Sequence, residues 1–353
     1  LSFESQVQDM DFSIAGILLL DGSSNGAIYA LLALAIVLIF AVTRVIFVPQ
    51  GEFAAYGALT LAMLQAGHVP GTVYLLALLA LAVAVLDAAE ALRQRRGAGR
   101  AAAAFFKPLT WPVPIVLLSL WAAPRHMPLM LQSLLALAIV TSLGPLLYRV
   151  AFEKLADASV LVLLIVAVGV HFVMTGLGLA FFGAEGFRNP SFWDTTFTAG
   201  GVLLSGQAII IFMASIALML GLWLFFERTL RGKALRATAV NRLGARLMGI
   251  STVDAGRLSF ALAAFIGALA GLLIAPTATM AYDSGFLIGL KGFVAAIFGG
   301  LASYPGAALG ALFVGLLESF GSFWASAFKE VIVFTAILPV LLWLSFKHGS
   351  DEG

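Results

Sequence analysis

Long apolar runs recur along the whole chain, and they constrain its fold more than any other feature of the sequence. A helix that crosses the hydrocarbon core of a bilayer needs about 20 consecutive apolar residues, with a range of about 17–25. Most of the runs approach or exceed that length, and two are shorter and interrupted by glycine. The longer runs lie near residues 13–43, 72–92, 109–123, 129–150, 159–182, 206–227, 258–276, 304–324 and 328–346, and the two shorter ones near 51–66 and 286–301.

The composition leads to the same fold class. Hydrophobic residues make up 61% of the 353 residues and charged residues 11%, with a mean hydropathy of +1.05. Soluble chains have about 45–50% apolar and about 25% charged residues. Because the runs are continuous, they do not match barrel strands, which alternate over about ten residues. The sequence therefore predicts an all-α integral membrane protein, a single polytopic helical bundle with about eleven membrane segments.

Several kinds of chemistry are excluded by what the chain lacks. It has no cysteine, and its four histidines are scattered and form no metal-binding motif. No Ser–Lys, His–Asp or paired-carboxylate arrangement is visible within the apolar runs. A net charge of +2 gives no indication of a nucleic-acid partner. We therefore expect this chain to have no catalytic residue, no metal site and no bound cofactor. We expect membrane lipid to surround it.

The basic residues indicate how the bundle is oriented. The loops at 93–107 and 228–257 together hold twelve of the twenty lysines and arginines. Basic loops stay on the cytoplasmic side of the membrane, so both loops are predicted to be cytoplasmic. The acidic N-terminal stretch then faces outward, and eleven crossings place the C-terminus in the cytoplasm.

Glycine spacing predicts close helix contacts and broken helices. Gly-x-x-x-Gly pairs let two helices approach closely, and three occur in the apolar runs. The pairs are Gly22 with Gly26, Gly267 with Gly271, and Gly306 with Gly310. The short runs at 51–66 and 286–301 predict broken helices around a pathway at the midplane, and the alternative is an ordinary kink.

Polar residues inside the apolar runs suggest where a pathway lies. Asn25 and Tyr29 share one helix face, as do Glu52 and Tyr56, and polar groups facing lipid are costly. Two alternatives remain: both tyrosines could be interfacial belt residues, and Glu52, near the cytoplasmic end of its segment, could be structural. His171 is expected to be a core histidine with a satisfied side chain. The predicted pathway residues are Asn25, Tyr29, Glu52, Tyr56, Lys291, Gly299 and Gly300.

The second basic loop carries an amphipathic pattern. Between Gly232 and Gly249 an apolar stripe recurs every four residues, with arginines beside it, and Gly249 is placed to end the helix. Such a basic helix can lie on anionic lipid or dock in a groove of a partner protein, and the residues alone favour neither. The stripe is Leu235, Ala239, Leu243 and Leu247, and the arginines are Arg236, Arg242 and Arg246.

Three stretches resemble one known family. Residues 25–34 with the following Gly51-Glu52-Phe53, the loop at 233–250, and the glycine block from 299 to Glu318 are similar to Liv-type permeases, the membrane subunits of branched-chain amino acid ABC importers. Two places depart from the family pattern. Phe47-Val48-Pro49-Gln50 replaces Asn-Phe-Ala-His, and Val240-Asn241 replaces an acidic pair. Residues 72–128 resemble an insertion of two helices.

The resemblance implies a transport subunit of the bacterial inner membrane that is not itself an enzyme. Its implied partners are a second related permease, two cytosolic ATPases that hold ATP and magnesium, and a periplasmic solute-binding protein. The loop at 228–257 would couple to the ATPases through Leu235, Arg236, Ala239, Arg242, Leu243, Arg246 and Leu247. The solute would cross by alternating access.

The solute stays open at this stage. Branched-chain or other hydrophobic amino acids, related amides, urea and organic acids all fit the resemblance. A secondary transporter or channel that works without partners is the alternative function.

Overall fold

The computed structural model describes residues 3–95, 97–125, 127–199, 202–301 and 303–342. Some residues behind these predictions lie outside the described residues, as do both chain ends: Arg96 of the loop at 93–107, the histidines His126 and His348, and Lys347 near the C-terminus. The helices are α1 (Phe3–Thr43), α2 (Gln50–Gln65), α3 (Gly71–Arg93), α4 (Ala98–Phe106), α5 (Pro112–Ala122), α6 (Leu129–Leu147), α7 (Val160–Phe182), α8 (Gly206–Arg228), α9 (Leu230–Val240), α10 (Arg242–Leu247), α11 (Thr252–Ile274), α12 (Ser284–Phe298), α13 (Tyr304–Ala325) and α14 (Lys329–Thr335). One antiparallel hairpin joins β1 (Thr196–Ala199) to β2 (Val202–Ser205).

The prediction of an all-α membrane bundle is confirmed, whereas the count of eleven segments is not. Among the described residues, seven helical stretches are long and apolar enough to cross a membrane. An eighth is added if Ala98–Leu109 and Pro112–Ala122, bent by 42°, form one span. The difference has a physical origin: α2 and α12 have only 16 and 15 residues, too few to cross, and the predicted segments 304–324 and 328–346 form the single stretch Tyr304–Leu342.

Helix α1 is the centre of the bundle and packs on α13 through glycine. A Cβ atom on Gly22 would lie 2.9 Å from the Cα of Leu316, and one on Gly26 would lie 2.8 Å from the Cα of Leu312. From the other side, a Cβ on Gly315 would lie 2.6 Å from the Cα of Gly26. Two backbones are therefore in direct contact, which is the close approach that the first glycine pair predicts.

The other two glycine pairs also lie at helix contacts. A Cβ on Gly267 would lie 2.8 Å from the Cβ of Phe53, so this pair faces α2. A Cβ on Gly310 would lie 2.6 Å from the Cβ of Phe298, and Gly306 backs onto Gly299, so the third pair faces α12. All three predicted contacts are confirmed.

Helix α2 begins in the interior, as a broken helix would. After α1 ends, Arg44 has a left-handed φ of 62° and the chain turns back into the bundle, where Phe47 is buried. The Gln50 side chain then donates a hydrogen bond to the Ala263 carbonyl at 2.9 Å. Ala263 is eleven residues, or about 16 Å, from the start of α11. Glu52 lies in the first turn of its segment, as predicted, but that turn is not at the basic end of the bundle, because the chain before α2 re-enters and carries Glu52 to mid-depth.

Helix α12 lies between α1 and α2 and contacts both through glycine. Toward α2, a Cβ on Gly51 would lie 2.6 Å from the backbone nitrogen of Gly289. Toward α1, a Cβ on Gly292 would lie 2.7 Å from the Cβ of Leu32. The two short helices that the sequence singles out therefore cross each other inside the bundle.

Both basic loops lie at one end of the bundle. Arg149, just after α6, bonds Asp87 at 2.6 Å and Glu90 at 2.7 Å near the end of α3, and also pairs with Glu153. Glu153 in turn accepts from Arg257 of α11 at 2.9 Å. These pairs hold the end of α3, and with it the loop at 93–107, beside the loop at 228–257. The positive-inside rule requires such an arrangement.

Candidate functional site

A buried ionic cluster joins four helices. Lys291 Nζ lies 2.6 Å from Glu318 Oε1 and 3.1 Å from Glu330 Oε1. The Tyr29 hydroxyl donates to the other oxygen of Glu318, and the lysine ammonium lies 5.8 Å from the centre of the tyrosine ring. The single ammonium group of Lys291 thus forms ion pairs with two carboxylates. We call these four residues, from α1, α12, α13 and α14, the Lys291 cluster.

A polar cavity opens beside this cluster. It has a volume of about 380 Å³, and we call it the distal recess because it lies far from the basic loops. Glu318 is 14 residues, or about 21 Å, along α13 from Tyr304, which lies at the basic end. The recess is lined by Leu18, Asp21, Asn25, Glu318, Ser319, Ser322, Phe323 and Lys329.

The second predicted pair, Glu52 and Tyr56, faces a different helix. Glu52 is 1% exposed, and its Oε1 lies 3.0 Å from Nδ1 of His171 in the middle of α7. The Tyr56 hydroxyl donates to the Met174 carbonyl, also in α7, at 2.6 Å. His171 therefore pairs with a carboxylate that the sequence analysis did not connect to it. Their separation of more than a hundred residues leaves no local signal.

Neither tyrosine is an interfacial belt residue. Tyr29 is 3% exposed and Tyr56 is fully buried, and each hydroxyl has a partner inside the bundle. Belt residues instead hold their rings at the level of the lipid headgroups. The structure thus favours the interior placement that we predict for both side chains.

Gly299 and Gly300 lie in the turn between α12 and α13, at the basic end. Gly300 has a left-handed φ of 67°. The next residue, Leu301, lines a cavity of about 340 Å³ together with Arg44 and Arg236. The predicted pathway residues therefore occupy three levels, namely the distal recess, the mid-depth pair and this turn, and they do not meet in one place.

The loop at 228–257 forms two helices, so the prediction of a single helix is wrong. The chain breaks at Asn241, with φ −149° and ψ 99°, and the Asn241 side chain accepts from the backbone N–H of Gly244 at 2.8 Å. Asparagine favours such N-caps because its side chain satisfies an unpaired donor. The predicted end at Gly249 is confirmed: φ is 79° and Ile250 donates to the Ala245 carbonyl at 2.9 Å.

The break splits the apolar stripe. Leu235 is buried against Leu38 and Ala255, and Ala239 is half-buried beside it. Leu243 is 68% exposed and Leu247 is 80% exposed. These two leucines continue an exposed apolar surface that we call the coupling ridge. The ridge consists of Val240, Leu243, Leu247 and Met248.

The arginines beside the stripe bind the chain itself. Arg242 donates to the Ala156 carbonyl at 2.8 Å, and Arg246 lies 3.0 Å from Asp157. Arg236 pairs with Glu227. These arginines anchor the coupling ridge to the bundle, and their partners Ala156 and Asp157 were not identified from the sequence.

A tight corner joins α8 to α9. The Thr229 hydroxyl donates to the Phe225 carbonyl at 2.7 Å and accepts from the backbone N–H of Gly232 at 2.9 Å. A Cβ on Gly232 would lie 2.7 Å from the Cα of Phe226, so only glycine fits there. The two helices are thus bonded to each other at the point where they meet.

Comparisons with known proteins place this geometry in context. Residues 97–342 match the family described as the permease component of branched-chain amino acid transport systems. The family match begins at residue 97, which lies inside the segment 72–128 that resembles an insertion. No solved structure matches the chain significantly.

Curated relatives agree with the family match. The chain is 32% identical over 239 residues to the high-affinity branched-chain amino acid transport system permease protein BraD of Pseudomonas aeruginosa, covering 65% of this chain and 78% of that protein. It is 29% identical over 214 residues to the permease protein LivH of Escherichia coli K12, covering 59% of this chain and 70% of that protein. A probable LivH of Methanocaldococcus jannaschii is 31% identical over 132 residues, or 37% of this chain and 42% of that protein.

Proposed function

The chain belongs to the family of permease components of branched-chain amino acid transport systems and is a multi-pass protein of the bacterial inner membrane, and on that premise we propose how it works. It acts as a membrane subunit of an ATP-driven importer and moves a small solute into the cytoplasm by alternating access. Two cytosolic ATPases, a second related permease and a periplasmic solute-binding protein complete the assembly. The permease carries out no covalent chemistry, and ATP and magnesium bind to the ATPases.

The coupling ridge is the observation that carries this proposal. Its leucines are exposed at the basic end of the bundle, where positive charge predicts the cytoplasm. Arg242 and Arg246 fix the ridge to the residues after α6, so a force on the ridge acts on the bundle. A rigid apolar ridge in this position suits the groove of a partner protein. Partner docking therefore explains it better than contact with anionic lipid.

The first experiment changes the ridge. Leu243→Asp places a carboxylate where an apolar contact is expected, and burying it unpaired costs several kcal/mol, about 2–7 for a polar group. We expect the variant to insert normally, to lose co-purification of the ATPases and to lose uptake. The matched control is Leu92→Asp, since Leu92 is also an exposed leucine at the basic end, 59% exposed, and lies outside the ridge.

Two results of this experiment would contradict the proposal. If Leu243→Asp retains its ATPases as fully as the control does, the ridge lies on lipid. If uptake by proteoliposomes follows an ion gradient and needs no ATPase, the chain works as a stand-alone secondary transporter.

In this proposal the pathway runs from the distal recess, past α2 and α7, to the Gly299–Gly300 turn at the basic end. Polar groups occupy successive depths there: Asn25 and Tyr29 at the distal recess, Glu52 and His171 at mid-depth, and the Gly299–Gly300 turn at the basic end. Such groups are costly in lipid and stable beside water or solute. A branched-chain or other hydrophobic amino acid, a related amide, urea or an organic acid is the proposed range of solutes.

A further inference from the structure

The distal recess and the Lys291 cluster together carry more negative than positive charge. Asp21, Glu318 and Glu330 contribute three carboxylates, whereas Lys291 and Lys329 contribute two ammonium groups. Among the described residues that line the recess or bond to its lining, the balance is therefore one negative charge. An unbalanced negative charge attracts a cation, and the attraction is strongest beside Glu318, which is largely shielded from solvent.

Lys291 has no further capacity to neutralise the carboxylates of the recess. Lys291 is committed to two carboxylates, and its side chain is only 6% exposed. Glu330 keeps a second oxygen that is buried without a hydrogen-bond partner among the described residues. Glu318 is 9% exposed and forms part of the recess wall. A carboxylate can accept about four hydrogen bonds, so Glu318 has capacity left after Lys291 and Tyr29.

The rest of the wall suits a small solute with a polar head and an apolar body. Asn25, Ser319 and Ser322 supply an amide and two hydroxyl groups, and Leu18 and Phe323 supply apolar contact. Ser319 donates its proton to the Leu18 carbonyl at 2.8 Å, so its oxygen is left to accept. The volume of about 380 Å³ is near the lower end for ligand sites, about 300–1,000 Å³.

We propose that the distal recess binds the primary ammonium group of the transported solute between Asp21 and Glu318, with its apolar body against Leu18 and Phe323. The inference rests on the proposed function, because it takes the recess to be the first station of the solute on the side away from the ATPases. The inference also distinguishes among the possible solutes. The net negative charge of the recess strengthens the binding of amines, and it does not strengthen the binding of organic acids or urea.

The test measures binding to the assembled transporter in nanodiscs, without the solute-binding protein, which would otherwise dominate specificity. Saturation-transfer NMR is recorded with three probes of similar size. Leucine carries ammonium and carboxylate, 3-methylbutylamine carries only ammonium, and 4-methylpentanoate carries only carboxylate. We expect the first two to bind and the third to fail.

Two variants connect binding to the recess. Asp21→Asn removes a carboxylate that is exposed at the rim, so folding is not at risk, and Glu318→Gln removes the buried one. Each is expected to weaken the binding of both amines by about tenfold, as for loss of a charged hydrogen bond. Asp194→Asn, at an exposed carboxylate outside the recess, is the control and should change nothing.

Three results would overturn the inference. The first is that neither amine binds, or that 4-methylpentanoate binds as well as they do. The second is that Asp21→Asn leaves amine binding unchanged. The third is that ammonium chloride displaces 3-methylbutylamine at equal concentration, since the recess would then hold a free inorganic cation. Co-purified ATPases and ATP-driven uptake in the same preparation show separately whether the proposed function stands.

Discussion

Arg149→Met should destabilise the basic end of the bundle more than any single change among its partners. The side chain of Arg149 is 9% exposed and contacts Asp87, Glu90 and Glu153. Methionine fills a similar length without charge, so the three carboxylates would face each other without their shared cation. Glu153 keeps a second cationic partner, Arg257 at 2.9 Å.

The magnitude follows from the exposure of each partner. Removing one member of a buried ion pair costs about 3–5 kcal/mol, and the lower end applies here because Glu153 retains Arg257. Glu90 is 45% exposed, so solvent screens its pair and Glu90→Gln should cost less than about 1 kcal/mol. Asp87 is 23% exposed, and Asp87→Asn should fall between these two.

Thermal unfolding of the purified permease in detergent, followed by loss of the monodisperse peak on size exclusion, measures the order of the three variants. About 1 kcal/mol lowers the Tm by about 2–4 °C in a chain of 150–250 residues and by less in this chain of 353, so a loss of about 3 kcal/mol in Arg149→Met should lower the Tm by several degrees. An equal Tm for Arg149→Met and Glu90→Gln would refute the reasoning, because it would mean that burial adds nothing to the Arg149 pairs.

Three further predictions follow from the packing and the topology. Gly315→Ala should lower the free energy of unfolding by about 1–3 kcal/mol, because the added Cβ clashes with Gly26. Gly176→Ala is the control and should leave that free energy unchanged, because nothing lies within 4 Å of the added Cβ. Unfolding in a denaturant series compares the two variants. Single cysteines at Arg100 and Asp194 should react with an impermeant thiol reagent only from the cytoplasmic and the outer side respectively, and labelling of Arg100→Cys in intact spheroplasts would reverse the orientation. Asn25→Trp should fill the distal recess and block uptake while the ATPases still bind, and normal uptake would move the pathway elsewhere.

Features with a local signal could be predicted from the sequence. The glycine pairs at 22–26, 267–271 and 306–310 lie at helix contacts because a four-residue spacing places both glycines on one face of a helix, whatever the partner. The end at Gly249 is likewise a local property of the backbone. The cytoplasmic side predicted for the basic loops also depends only on their own charges, and it stays a prediction.

Features that depend on distant partners could not be predicted. Glu52 meets His171, and Arg149 meets Asp87 and Glu90, across separations of 59 residues or more. The residue type alone indicated only that each charge needed a partner. The break at Asn241 did have a signal, since asparagine is a common N-cap, but the four-residue apolar stripe running through it favoured one helix.

The corner at Thr229 and Gly232 joins α8 and α9 into one lever. The short arm carries the coupling ridge, and the long arm is the 23-residue α8, about 34 Å in length. Because the corner is bonded through Thr229 and has no room for a side chain at Gly232, we expect α8 and α9 to turn as a unit. A tilt of about 10° imposed at the ridge would swing the far end of α8 by about 6 Å, a distance comparable to one turn of helix. In the proposed importer, motion imposed at the ridge would thereby be amplified on its way to the opposite face of the membrane.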